Sequence, residues 1–172
     1  MNDETIHDER LRRKSGNSGL DAYLKRKEPE TDNSVAACKA FGYLRGIRDT
    51  ATSVEFRLKD GNSMFFPYGM MGPWKFNPSE GLLLKFSGDI VYLVLIRGSN
   101  LAKPLNDGAI NLTQAGLQRH RILWIAEMTK EEIQQVGETG PTIDSIEIGE
   151  FESQEDMRKW LQEKAPAFLP AE

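Results

Sequence analysis

The sequence predicts a mainly β fold: a small, strongly bent, five-stranded antiparallel barrel with short flanking helices and polar tails. Three observations carry this. Residues 53–59 alternate, with Val54, Phe56 and Leu58 on one face and Ser53, Glu55, Arg57 and Lys59 on the other, and end in Asp60-Gly61, the dipeptide that best supports a hairpin turn. Further short apolar runs follow, separated by Gly, Pro, Asn and Asp. One of them, 90–97, is apolar on both faces, which marks a strand covered on two sides, by the core and by a helix or a neighbouring subunit.

The 172 residues suit one domain with tails. Residues 1–34 have too few apolar side chains to offset the entropy of ordering, and a disordered polar tail is expected there. Within it, 18–27 places Leu20, Tyr23 and Leu24 on one helical face, a short candidate docking segment. Residues 35–48 fit two templates: Phe41, Leu44 and Arg48 share a helical face, while Phe41, Tyr43, Arg45 and Ile47 alternate as in a strand. Helix is slightly favoured, although Gly42 and Gly46 weaken it.

The first strand is expected over 53–59 and the second over 63–68, where Pro67 demands an edge, a bulge or an end. Phe65, Phe66 and Met70 are assigned to the core, and Trp74 and Lys75 to an exposed Gly-Pro loop. Residues 77–81 form a turn, 82–86 the third strand, 87–89 a tight turn and 90–97 the fourth strand. Residues 101–121 lead into a short helix at 113–121, capped by Asn111 or Thr113, and 121–128 supply the fifth strand. The barrel domain is thus expected over 35–130.

Residues 131–172 read as an acidic extension. Ile146 and Ile148 suggest an extended stretch there. Ser153 can cap a helix whose Met157, Trp160 and Leu161 form one apolar stripe, ended by Pro166. Trp160 is costly to leave in water, so the helix should dock on the core or on another chain.

Charge sharpens this division. The 22 basic and 26 acidic side chains give a net −4, but residues 35–130 carry 12 basic and 7 acidic groups, a balance of +5. Residues 131–172 carry 3 basic and 11 acidic groups, a balance of −8. A basic centre followed by an acidic tail keeps a polyanionic partner open. The longest apolar run falls far short of the roughly 20 residues a spanning helix needs, so no membrane partner is expected. The polar amino terminus lacks the pattern of a secretory signal, and the expectation is a cytoplasmic protein. One cysteine, Cys38, and two histidines, His7 and His120, make no metal-ligand cluster. No catalytic constellation and no phosphate-cradling glycine loop is present, so neither enzyme activity nor a cofactor is expected.

Residues 54–61, Val-Glu-Phe-Arg-Leu-Lys-Asp-Gly, resemble the first strand and turn of Sm-like proteins, including their bacterial Hfq branch. Residues 96–101, Ile-Arg-Gly-Ser-Asn-Leu, resemble the second Sm motif. The resemblance implies an Sm-like barrel, of the wider SH3-like type, that binds single-stranded RNA or self-associates through the fourth strand. It carries an RNA-contacting role to Arg97 and Gly98. Two departures accompany it: Gly81-Leu82-Leu83-Leu84 replaces the polar base-contacting loop, and about twenty residues separate Gly98 from the fifth strand.

For RNA, Trp74, Lys75 and Asn77 join Arg97 and Gly98 as candidate contacts, because aromatic faces stack on bases and cations meet phosphate. Arg97 can equally end its strand and pair with an acid such as Asp89. The other functional class is a protein-interaction or scaffold domain. In it the tails recognise partners through Leu20, Tyr23 and Leu24 at one end and Met157, Trp160 and Leu161 at the other.

Overall fold

A computed structural model describes residues 34–105, 108 and 110–170. The candidate docking segment with Leu20, Tyr23 and Leu24 lies outside the described residues. Among the described residues nine strands form two sheets: β1 (Val35–Ala37), β2 (Phe41–Leu44), β3 (Ser53–Arg57), β4 (Ser63–Pro67), β5 (Lys75–Asn77), β6 (Gly81–Ser87), β7 (Val91–Arg97), β8 (Ile122–Ala126) and β9 (Ser145–Phe151). The first sheet has the order β1-β2-β8-β3-β4 and the second β5-β6-β7-β9. The fold is therefore mainly β, but the expected all-antiparallel closed barrel is corrected in two respects. β8 runs parallel to β3, with Phe56 opposite Ile125, and the chain makes two open sheets rather than one closed one.

The helical leaning for 35–48 is also corrected: the segment is the β1–β2 hairpin, with Ala37 opposite Gly42. Gly42 is there for packing. A Cβ on it would sit 2.2 Å from Nε1 of Trp124, the residue paired with it on β8, so the glycine marks a close approach across a sheet rather than a weak helix. The β3–β4 turn is a three-residue loop. Leu58 N–H donates to Asn62 and Gly61 N–H to Leu58, and Gly61 takes the positive φ of 88° that this turn requires.

The two sheets face each other across one core. Alternation on β3 and β4 turns Val54, Phe56 and Phe66 inward, and alternation on β6 and β7 does the same for Leu82, Leu84, Phe86, Val94 and Ile96. Phe66 of the first sheet stacks on Phe86 of the second at 4.4 Å, and Phe56 meets both edge-on. Phe65, expected in the core with Phe66, is 63% exposed. The two are consecutive on a strand, so one must face outward. Met70 is half-buried against the core, as is Trp74, which was expected to be exposed.

The strand that is apolar on both faces is β7, and it lies at the centre of the second sheet between β6 and β9. Its Leu93 and Leu95 face away from the main core, onto a second apolar cluster with Leu83, Phe151, Ala165 and Phe168. That cluster is covered by Met157, Trp160 and Leu161 of a carboxyl-terminal helix, α2 (Gln154–Lys164). Ser153 caps the helix by accepting from Asp156 N–H, with Glu155 and Asp156 in its first turn. A shorter helix, α1 (Lys130–Val136), starts in a capping box between Thr129 and Glu132. No described helix is long and apolar enough to cross a membrane.

The twenty-residue interval before β8 is part of the core. Leu101, Ile110, Leu112 and Leu117 are all buried, and Asn111 caps the π-helical turn Leu112–Gly116 by accepting from Ala115 N–H. Arg121, 2% exposed, donates to the carbonyls of Leu44, Arg45 and Ala115. It thereby holds the end of β2 against that turn and satisfies a helix-terminal carbonyl. Tyr68, in the 3-10 turn after β4, donates its hydroxyl to the Ile122 carbonyl at 2.8 Å. Burial pushes its phenol well above the ordinary tyrosine range.

Two expected outcomes follow from this packing. Phe66→Ala removes the ring that joins the sheets and should cost about 3–5 kcal/mol in urea unfolding. A loss under 1 kcal/mol would show that the stack is not the main joint. For Tyr68, the unfolded chain loses its phenolic proton near pH 10, the ordinary value, while the folded chain keeps it. The unfolded state then binds fewer protons, so the Tyr68 contribution is complete below pH 10 and declines as pH rises above it. Thermal unfolding should show this alkaline decline reduced in Tyr68→Phe; identical decline in both proteins would contradict it.

Candidate functional site

Joining two sheets by packing leaves four edges, and two of them border a cleft. β4 ends the first sheet and β9 ends the second. Between them lies a groove of about 370 Å³. Leu58, Asn62, Ser63 and Met64 of the β3–β4 hairpin form one wall, and Tyr92, Ile148 and Glu150 of β7 and β9 form the other. This is the seam that closure of a barrel would have filled.

Hydrogen-bond alternation fixes which backbone groups face the seam. Asn62 accepts from Leu58 N–H and Tyr68 N–H donates to Thr52, so the even-numbered residues of β4 are turned toward β3. Ser63, Phe65 and Pro67 therefore aim their main-chain groups outward. On β9, Ile146 N–H is turned away from β7, to the Glu127 carboxylate at 2.7 Å. Ile148 and Glu150, two and four residues on, share that outward direction. Pro67 supplies no donor and ends the usable edge of β4.

One end of the seam is pinned. The two oxygens of Glu127 accept from different sheets, Oε2 from Lys59 N–H in the hairpin and Oε1 from Ile146 N–H on β9, each at 2.7 Å. Lys59 Nζ then reaches the Asp144 carbonyl at 2.6 Å. The outer face of the first sheet beside the seam carries Phe65, the Glu55–Arg57 ion pair and Trp124, whose ring lies 4.4 Å beneath the Arg57 guanidinium. Hydrogen bonding from the Arg57 side chain holds the Glu55 carboxyl below its usual range.

The candidate RNA contacts are placed elsewhere, and four of them, Lys75, Asn77, Arg97 and Gly98, are engaged within the chain. Arg97 pairs with Glu147 on β9 and donates to the carbonyl of Lys164, the last residue of α2. Lys75 donates to the Phe168 carbonyl at 2.7 Å. Both cations thus satisfy carbonyls at the end of the carboxyl-terminal helical segment. Gly98 does permit a close backbone approach, but the backbone is this chain's own: a Cβ there would lie 1.9 Å from the Thr142 carbonyl oxygen. Asn77 accepts from Ser79 N–H and shapes its own turn. Trp74 lines a second cleft, with His120 and Gln118. Met157, Trp160 and Leu161, candidate partner contacts, cover the second apolar cluster instead.

Sequence reasoning missed the seam because the β3–β4 hairpin and Tyr92 were assigned to a closed barrel, and Ile148 and Glu150 to a separate carboxyl-terminal extension. The signal that pointed toward it was Pro67, for which an edge was one of the three alternatives, with a bulge or an end. Among the described residues no group of three potential metal ligands is gathered.

Glu127→Ala should cost about 2 kcal/mol by loss of two charge-assisted bonds. Amide exchange should quicken at Lys59 and Ile146 while the centre of β7 stays protected; unchanged exchange at both amides would remove Glu127 from this role. A comparison with known proteins finds no matching family model, no matching curated protein and no matching solved structure.

Proposed function

We propose that the chain is a protein-interaction domain that takes up an extended segment of a partner protein by strand addition along β4. The observation that carries this is Phe65, 63% exposed on a sheet edge that has no partner strand among the described residues, beside an apolar groove. Main-chain groups at Ser63 and Phe65 supply register. Alternate side chains of the incoming strand turn into the seam, against Leu58, Met64, Tyr92 and Ile148. An exposed edge of this kind is a template for pairing unless it is shielded, and β4 carries no charged side chain.

The Sm-like reading gives a second class of function, single-stranded RNA binding or self-association through β7. Three observations favour the protein-interaction reading over it. Arg97 and Lys75 are committed to carbonyls of the chain, Gly98 is covered by Thr142, and β7 has a neighbour on each side.

Selection from a displayed library of random octapeptides tests the proposal. Binders should alternate apolar residues, and on binding the Ser63 and Phe65 amides should become protected from exchange. Phe65→Lys, an edge-blocking change at an exposed site, should weaken binding about tenfold or more, equivalent to roughly 1.4 kcal/mol, with little change in melting temperature. Absence of any binder, or protection confined to other strands, would rule strand addition at β4 out.

A further inference from the structure

We infer that the cleft between Trp74 and His120 binds a nucleobase. It has a volume of about 420 Å³ and is lined by Met71, Gly72, Pro73, Trp74, Gln118 and His120, a size suited to a small ligand. This site is separate in residues from the β4 seam, and the inference does not depend on strand addition.

The imidazole is held in a fixed plane. His120 ends the 3-10 turn Leu117–Arg119 with φ 54°, the left-handed region. Its N–H donates to Leu117 and its carbonyl accepts from Ala51 N–H. Glycine would serve that backbone at no steric cost; histidine adds a ring. The ring lies on Tyr68 at 4.4 Å between centroids and 15° between planes. Tyr68 is itself 4% exposed and anchored through its hydroxyl to Ile122. One face of the imidazole is thus covered by a buried aromatic ring, and the half-buried His120 lines the cleft.

The lining selects the ligand class by elimination. Among the described residues no carboxylate lines the cleft to hold a cation, and no lysine or arginine lines it to hold an isolated anion. A purely aliphatic guest would make no use of the polar groups that Gln118 and His120 bring to the lining. A flat heteroaromatic ring fits both demands. It extends the Tyr68–His120 stack, meets Trp74 as a second aromatic wall, and offers polar edge atoms to Gln118. Nucleobases are that chemistry, whether carried by a free nucleotide or by a single strand.

The test is an NMR titration of the labelled full chain with the four common ribonucleoside 5′-monophosphates, with six-base oligoadenylate and oligouridylate, and with ribose 5-phosphate. The inference expects a saturable upfield ring-current shift of the His120 imidazole protons with at least one base-bearing probe and none with ribose 5-phosphate. Tighter binding of an oligonucleotide assigns the base to a nucleic acid, and equal binding assigns it to free nucleotides. His120→Gly suits the left-handed backbone and keeps the fold, which the amide spectrum verifies. It should weaken binding roughly tenfold, the loss of one stacked ring, and Gln118→Ala should weaken it less. No saturable shift with any base-bearing probe, an equal shift with ribose 5-phosphate, or unchanged affinity in His120→Gly would overturn the inference.

Discussion

The stack of Phe66 on Phe86 is the contact on which the rest of the architecture depends. Within each sheet, strands are held by main-chain hydrogen bonds; between the sheets, the principal joint is this pair and the Phe56 edge that meets both rings. Packing, unlike a hydrogen-bond ladder, joins faces and leaves edges free. The open seam between β4 and β9 follows from that choice, and Glu127 supplies the polar pin that keeps the seam from widening at one end.

The charge asymmetry of the sequence acquires a structural meaning. Cations of the basic central region reach into the acidic carboxyl-terminal region and meet carbonyl oxygens there: Lys59 at Asp144, Lys75 at Phe168, Arg97 at Lys164 and Lys103 at Glu138. Arg97 and Lys39 also pair with the carboxylates of Glu147 and Glu132. A basic centre and an acidic tail are therefore two halves of one folded unit. Several cations of the +5 region that kept a polyanionic partner open are thus engaged by the chain itself.

Most of the strands were legible because their signals are local. Alternation marked β3, the apolar runs marked β6, β7 and β8, and Ser153 with its apolar stripe marked α2. What could not be read depends on distant partners. Gly42 looks like a helix breaker until Trp124, more than eighty residues on, is laid against it. Phe65 and Phe66 are chemically alike, and only the pairing with β3 decides which one faces water. Arg97 matched a motif for an external ligand, yet its partners are Glu147 and Lys164, whose positions depend on the whole second sheet. Helix α1 is a different case: Thr129 and Glu132 stand at capping-box spacing, so a local signal was present and overlooked.

The insertion of β8 between β2 and β3 bears on how the chain reaches its native state. The β3–β4 hairpin can zip from its own turn, but β2 and β3 have no common neighbour until 122–126 arrives, and β7 lacks its outer partner until 145–151 follows. Loop closure over such separations must precede the burial that rewards it. During synthesis, early strands therefore emerge with unpaired edges and an uncovered apolar face, and wait there for sequence still inside the ribosome. An architecture completed only by its last third favours slow, concerted completion over stepwise growth, and leaves nascent chains dependent on shielding from one another.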